Sequence, residues 1–120
     1  MTFEEIKQSL SLLDDPVNKL EYVMDLGKQL PEIPENATCT EIMGCVSFVK
    51  ICQYDNRFYG FADSAMVRGI VAIFLAMIEG KDVEEIKQMD LLGIFNSLQL
   101  NFGASRLNGI QSMVNFFKNL

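Results

Sequence analysis

Three cysteines, Cys39, Cys45 and Cys52, are the residues of this 120-residue chain whose type best suits covalent chemistry. A cysteine thiolate is both a nucleophile and a metal ligand. The chain has no histidine, so Cys-His and Ser-His activation and the usual general base near neutral pH are absent. The spacing C-x5-C-x6-C matches none of the usual zinc patterns. An odd number of cysteines is not a disulfide framework, and we expect free thiols in a reducing cytosol.

Cys45 is the strongest candidate because Gly44 precedes it. Glycine adopts backbone angles that other residues avoid, so Gly44 can form a tight turn or a hinge at the entrance to a hairpin. A cysteine at the tip of such a turn is open to solvent and able to move. The alternative of a buried, small hydrophobic residue stays open, because free cysteines are usually buried. We interpret Cys52 as a core thiol within a strand and Cys39 as a loop thiol that can be exposed.

Positive charge beside a thiol favours the reactive thiolate, and two arginines are candidates to supply it. Arg106 falls in the first turn of the predicted last helix, where a cation opposes the helix dipole at a cost of roughly 0.3–1 kcal/mol. A residue placed against its local preference suggests a function, although a solvated surface arginine is the alternative. Arg68, one turn into another predicted helix, raises the same question. Asp63 is most simply a helix cap; its functional interpretation is a salt-bridge or loop-anchoring partner for an arginine.

The charge balance excludes several classes of function. Sixteen acidic residues against ten basic ones give a formal net charge of −6. This argues against a nucleic-acid binder and against a membrane-surface helix, since both need clustered lysine and arginine. Glu4 and Glu5 stand where a signal peptide would be basic, and the uncharged apolar run at 69–78 is too short to span a bilayer. We therefore expect a cytoplasmic protein.

Apolar periodicity predicts helices on both sides of a segment rich in strand-forming residues. Phe3, Ile6 and Leu10 fall on one helical face, and Asp15-Pro16 offers a cap and a first-turn proline for the next helix. The order predicts one α+β domain over residues 1–120, with a small antiparallel sheet of about three strands covered by helices on one face. The later elements are an extended segment at 30–35, a loop at 36–40, a third strand at 41–43, a hairpin of strands 46–54 and 57–61 around Asp55-Asn56, a buried helix at 65–79 capped by Asp63-Ser64, helices from Asp82 and over 91–98, and a last helix capped by Ser105.

Four segments match the motifs of a known family in order. They are Leu30-Pro31 with Pro34-Glu35, Gly44-Cys45-Val46-Ser47-Phe48-Val49, the run Gly-Phe-Ala-Asp-Ser-Ala-Met-Val-Arg-Gly at 60–69, and Ser105-Arg106-x-Asn108-Gly109. Together they resemble the SufE-like sulfur acceptors of iron–sulfur cluster biogenesis over nearly the whole chain. Lys50 stands where many members have tryptophan, and Val46 stands where a polar residue is common. These differences bear on the choice of partner more than on the chemistry.

The resemblance implies a SufE/IscU-like fold and a sulfur carrier that is not itself a turnover enzyme. A cysteine desulfurase that uses pyridoxal phosphate, SufS-like or CsdA-like, would pass its persulfide sulfur to Cys45. The carrier would then deliver the sulfur to an iron–sulfur scaffold complex and would itself bind neither cofactor nor metal. Gly44 would be the hinge of the loop. Arg106 would stabilise negative sulfur or position the loop, and Asp63 would help to hold the loop at rest.

Three alternatives stay open at this point. An IscU-type scaffold for a metal or an iron–sulfur cluster would need its three cysteines, with or without Asp63, to converge on one ion. A non-covalent activator of the desulfurase would work without the thiol of Cys45. An enzyme with its own substrate lacks a base. The sequence leaves open which desulfurase and which acceptor are used, the oligomeric state, whether Cys39 is a second sulfur relay, and the roles of Arg68 and Lys50.

Overall fold

The computed structural model describes residues 1–120 and contains six α-helices and three β-strands. The strands form one antiparallel sheet in the order β1-β2-β3, which confirms the predicted α+β class. In chain order the elements are α1 (Phe3–Ser11), α2 (Pro16–Gly27), β1 (Thr38–Glu41), β2 (Val49–Tyr54), β3 (Arg57–Ala62), α3 (Ala65–Ile78), α4 (Val83–Gln88), α5 (Leu91–Asn96) and α6 (Ala104–Lys118).

Side-chain caps start most of the helices where the sequence predicts them. Asp15 accepts a hydrogen bond from the Val17 amide at 2.8 Å, and Pro16 occupies the first helical position of α2. Asp82 accepts from the Glu85 amide at 2.9 Å, and the Glu85 carboxylate in turn accepts from the Asp82 amide, which completes a capping box for α4. Local sequence is sufficient for these boundaries because both partners lie within one turn.

The start of α3 agrees with the prediction at Ala65, whereas the start of α6 differs. Ser64, not Asp63, is the N-cap of α3, and its hydroxyl accepts from the Val67 amide. The predicted Ser105 cap is wrong, because α6 begins at Ala104, two residues before the start that a Ser105 cap implies, and has Gly103 as an N-cap without a side-chain bond. Gly103 has a φ of 82°, a backbone angle that serine adopts rarely.

The β2–β3 hairpin forms around the predicted turn, since Asp55 and Asn56 both have positive φ, as a two-residue hairpin turn of type I′ requires.

The first strand is displaced from its predicted position. Strand β1 covers Thr38–Glu41, where a loop was expected up to residue 40 and a strand at 41–43. All four of its residues are exposed, so no alternation of apolar residues indicated it. Pairing with β2 alone defines this edge strand.

The register of β1 against β2 corrects the expectation of three free thiols. Cys39 lies directly opposite Cys52, and the two form a disulfide. Cys52 is buried, as predicted for a strand residue, but it lies on the sheet face opposite to Val49 and Ile51. Cys39 is exposed on the same outer face. Cys45 is the one free cysteine.

Helix α3 is the centre of the hydrophobic core, between α2 and the inner face of the sheet. It is apolar on nearly all sides, as its sequence predicts, because it packs on both neighbours. No helix of the chain combines the length and the apolar character that crossing a membrane requires. The largest fully buried side chains belong to several elements and include Ile6, Leu10, Ile51, Ile70, Phe74, Leu91, Met113 and Phe117.

Candidate functional site

The free thiol lies in the loop between β1 and β2, residues 42–48, which we call the Cys45 loop. Cys45 is half-buried and packs against the edge of the hydrophobic core. Its Sγ atom donates a long hydrogen bond to the carbonyl oxygen of Gly109 on α6, with a distance of 3.9 Å. The bond joins two residues that are 64 positions apart in the sequence. The resting position of the thiol is therefore on the surface of α6.

Gly109 creates the space that the thiol occupies. A Cβ atom added at this position would lie 3.1 Å from Sγ of Cys45 and 3.5 Å from its Cα. The distance to Sγ is shorter than ordinary van der Waals contact, so a side chain at position 109 would press on the sulfur. We call this space the Gly109 recess. Sequence reasoning quoted Gly109 as part of a motif but gave it no role, and its only signal was a glycine within a predicted helix.

Gly44 forms the tight turn expected before Cys45. Its φ is 91°, and an added Cβ would lie 2.6 Å from the Ser112 hydroxyl oxygen of α6. Both the backbone angle and the close approach disfavour a side chain at this position. The Cys45 loop thus touches α6 at two points one turn apart, Gly44 against Ser112 and Cys45 against Gly109.

Burial raises the pKa of the Cys45 thiol, and it is the only cause of the shift. The resting thiol is consequently protonated at neutral pH and a poor nucleophile. The predicted effect of a neighbouring arginine, which would lower this pKa, is not present in the resting loop. Exposure of Cys45 to water removes the cause of the shift and restores its ordinary reactivity.

Both candidate arginines are engaged by backbone carbonyl groups. Arg106 donates from Nη1 to the Phe102 oxygen over a long distance of 3.5 Å. It precedes Gly109 by three residues, which puts the two on neighbouring positions of one face of α6. Arg68 donates from Nε to the Ala62 oxygen at 2.9 Å, and its guanidinium carbon lies 4.9 Å from the centre of the Phe61 ring. Arg68 thus stabilises the junction of β3 and α3.

Asp63 anchors the Cys45 loop through its backbone and not through its carboxylate. Its amide donates to the carbonyl oxygen of Phe48, the last residue of the loop, at 3.2 Å. Its side chain is exposed and makes no ion pair with either arginine. The salt-bridge interpretation of Asp63 is therefore not realised in the resting structure.

Exposed apolar side chains flank the thiol along the Cys45 loop. Met43, Val46 and Phe48 in this loop are exposed to 73%, 78% and 40%. Clustered apolar exposure of this kind marks surfaces that contact other proteins. Cys45 is not among the lining residues of the groove beside α1 or of the groove beside Asp82. The exposed apolar side chains beside Cys45 therefore suit contact with another protein.

The Cys45 loop also holds an unpartnered polar atom. The hydroxyl oxygen of Ser47 is buried and has no hydrogen-bond partner, and no other buried side-chain nitrogen or oxygen lacks one. Buried hydroxyl groups are normally paired, so this exception in the segment that carries the free thiol requires a reason.

The cysteines do not converge on one point. Cys39 and Cys52 are bonded to each other, and no group of three histidine, cysteine, aspartate or glutamate side chains is placed to hold a metal ion. The scaffold alternative needs three thiolates around one ion. This geometry favours the chemistry of a single thiol.

Comparisons with known proteins agree on one family. The family model described as "SufE: Fe-S metabolism associated domain" matches residues 4–120. An uncharacterized SufE-like protein of Rhizobium meliloti is 34% identical over 98% of this chain and 92% of its own length. The sulfur acceptor protein CsdE of Escherichia coli is 30% identical over 94% and 83%. The cysteine desulfuration protein SufE of Wigglesworthia glossinidia is 32% identical over 81% and 74%.

A solved structure has the same fold. The solution structure of a hypothetical protein from Thermus thermophilus superimposes with a TM-score of 0.69 over 99% of this chain and 94% of its own. Its sequence identity is 17%, so the likeness concerns the fold alone.

Proposed function

The chain belongs to the SufE family, and on that premise we propose that it accepts sulfur from a cysteine desulfurase as a persulfide on Cys45 and passes it to an iron–sulfur cluster scaffold in the cytoplasm. The observation that carries the proposal is the placement of the one free thiol on a glycine turn that rests in the Gly109 recess. The pyridoxal phosphate belongs to the desulfurase, and the carrier contributes the nucleophile.

The transfer is an exchange between a thiolate and a persulfide. The Cys45 thiolate attacks the outer sulfur of the donor persulfide, a new S–S bond forms at Sγ, and the S–S bond of the donor breaks. The donor cysteine leaves as a thiolate and takes up the proton that Cys45 released, so no external oxidant or reductant is needed. Delivery to the scaffold repeats the same step with Cys45 as the leaving group.

Movement of the Cys45 loop couples reactivity to contact with the partner. At rest, burial raises the pKa of Cys45 and keeps the thiol protonated. When the loop leaves α6, with Gly44 as the hinge, the thiol meets water and the donor, and the thiolate forms. Return to the Gly109 recess then removes the sulfur from reductants in solution. The loop thus reacts outside the recess and stores sulfur inside it.

Arg106 and Asp63 have supporting roles in this proposal. The hydrogen bond of Arg106 to Phe102 is long, so the guanidinium can leave it at little cost. It can then pair with negative sulfur on Cys45 through a charge-assisted hydrogen bond. The Asp63 amide holds the Phe48 end of the loop while Cys45 swings about Gly44. The exposed carboxylate of Asp63 is free to pair with a cation of the partner.

Intact-mass spectrometry tests the central step. The protein is incubated with cysteine and candidate desulfurases loaded with pyridoxal phosphate, and we expect a gain of one sulfur atom that a reductant reverses. The Cys45→Ser variant should bind the desulfurase and gain no sulfur. Sulfur gain by that variant would contradict the assignment. Full stimulation of the desulfurase by Cys45→Ser would instead support the non-covalent activator, which uses the exposed apolar side chains but not the thiol.

A further inference from the structure

The disulfide lies at the base of the segment that carries the free thiol. Cys39 is on β1 and Cys52 is on β2, and Cys45 lies six residues after the first and seven before the second. The disulfide therefore closes a covalent ring that contains the whole Cys45 loop. The chain can open this ring only by breaking the bond between Cys39 and Cys52.

Strand β1 depends on this bond more than the other strands do. It is an edge strand whose four residues are all exposed, and β2 is the only element with which it makes extensive contact. Without the disulfide, β1 is held by the backbone hydrogen bonds of an exposed ladder. Segments with few buried apolar contacts and exposed hydrogen bonds are those that open locally at low cost.

We propose that Cys39 and Cys52 form a reversible redox clasp that sets how far Cys45 can move from α6. In the oxidised protein, the moving segment is limited to residues 43–48, because Ile42 pairs with Val49 and the disulfide closes the ladder behind that pair. In the reduced protein, β1 separates from β2 and the segment that carries Cys45 lengthens toward residue 37. The consequence for sulfur transfer rests on the function proposed above, whereas the clasp itself does not.

The two sulfur atoms differ in a way that suits reversible reduction. Cys39 is exposed, and Cys52 is 1% exposed. A thiolate of a dithiol reductant attacks the sulfur of Cys39, and Cys52 leaves as a thiolate and takes up a proton. The second thiol of the reductant then releases Cys39, and two electrons have passed from the dithiol to the clasp. Exchange with a small-molecule disulfide reverses the reaction. In a reducing compartment, disulfides are usually transient or redox-sensing.

The rate of Cys45 alkylation measures the clasp without any sulfur donor. Oxidised protein and protein reduced with dithiothreitol and desalted are each treated with iodoacetamide. A glutamate-specific protease then cuts after Glu41 and trypsin cuts after Lys50, which separates Cys45 from both Cys39 and Cys52. A disulfide that closes a loop of about 15 residues favours the paired state of its two ends by roughly a hundredfold. We expect Cys45 to react at least about tenfold faster in the reduced protein, since only part of that closing constraint bears on the docked loop.

Two variants that lack the clasp serve as matched controls. Cys39→Ser changes an exposed residue, and Cys52→Ala changes a buried one. In both variants, Cys45 should be alkylated at the rate of the reduced protein, with or without reductant. Equal rates in the oxidised and reduced protein would overturn the proposal, as would three titratable thiols in protein treated with oxidised glutathione. If the clasp behaves as expected but no sulfur reaches Cys45 from any desulfurase, the proposed function fails while the clasp stands.

Discussion

Substitution of Gly109 by alanine is the sharpest test of the resting site. The added methyl group would lie 3.1 Å from Sγ of Cys45, whereas ordinary contacts of this kind are about 3.5–4.0 Å. The sulfur must therefore move outward by roughly half an ångström. The Cys45 loop is free to yield, because Met43 and Val46 beside the thiol are exposed.

The expected energies show that Gly109→Ala should change the docking of the Cys45 loop more than the free energy of unfolding. Overpacking costs about 1–3 kcal/mol, and an exposed loop that yields falls at the lower end. A cost of about 1 kcal/mol increases the population of the undocked loop about fivefold. Replacing glycine by alanine within a helix returns roughly 0.5–1 kcal/mol, so the free energy of unfolding should stay nearly constant. Because burial is what raises the pKa of Cys45, that pKa should fall toward its ordinary value.

The assay is the rate of Cys45 alkylation as a function of pH in the oxidised protein. We expect Gly109→Ala to react about fivefold faster at neutral pH than the original protein, with the midpoint of its pH profile at lower pH. Asn108→Ala is the matched control: it changes the adjacent exposed residue of α6 and adds no atom against Cys45. A rate for Gly109→Ala that equals or falls below the original rate would refute the docking of Cys45 on α6.

Three further predictions concern the residues around the loop. Burial raises the pKa of Cys45 in the folded state, so the original protein should lose stability relative to Cys45→Ser as the pH rises above the ordinary thiol pKa of about 8.5, and parallel urea-unfolding profiles for the two would contradict this. Gly44→Ala should lower the free energy of unfolding by about 1–2 kcal/mol, and adding Ser112→Gly should recover part of this loss. Strictly additive effects in a double-mutant cycle would exclude a contact between residues 44 and 112. Arg68→Ala should cost about 1–2 kcal/mol because the Ala62 carbonyl loses its charged donor, and full thermal stability in Arg68→Lys would show that the guanidinium geometry is not needed.

Local signals predicted the parts of the fold whose partners are close in sequence. Asp15-Pro16, Asp82 and the Asp55-Asn56 turn each act within one turn of the chain, and the structure places helices α2 and α4 and the hairpin where these residues indicate. Ser105 failed as a cap because the start of α6 depends on the positive φ of Gly103. A positive φ of this kind depends on the path of the preceding segment. The presence of a serine at position 105 carries no information about that path.

Only the part of the candidate site that lies within the Cys45 loop could be predicted from the sequence. The pair Gly44-Cys45 indicated a turn with a thiol, and the structure has that turn. The recess beneath it belongs to Gly109, on a helix that packs there through tertiary contacts. The disulfide was missed for a related reason. The opposition of Cys39 to Cys52 depends on the register of an edge strand with no apolar alternation of its own.

The unpartnered hydroxyl of Ser47 has a consequence for the energy of the docked loop. A buried hydroxyl without an acceptor costs about 1–3 kcal/mol relative to one that is solvated. Undocking gives Ser47 back its hydration at the same moment that Cys45 loses its apolar surroundings. The two side chains therefore act in opposite directions within one peptide segment, so the docked loop is less stable than the burial of Cys45 alone would make it.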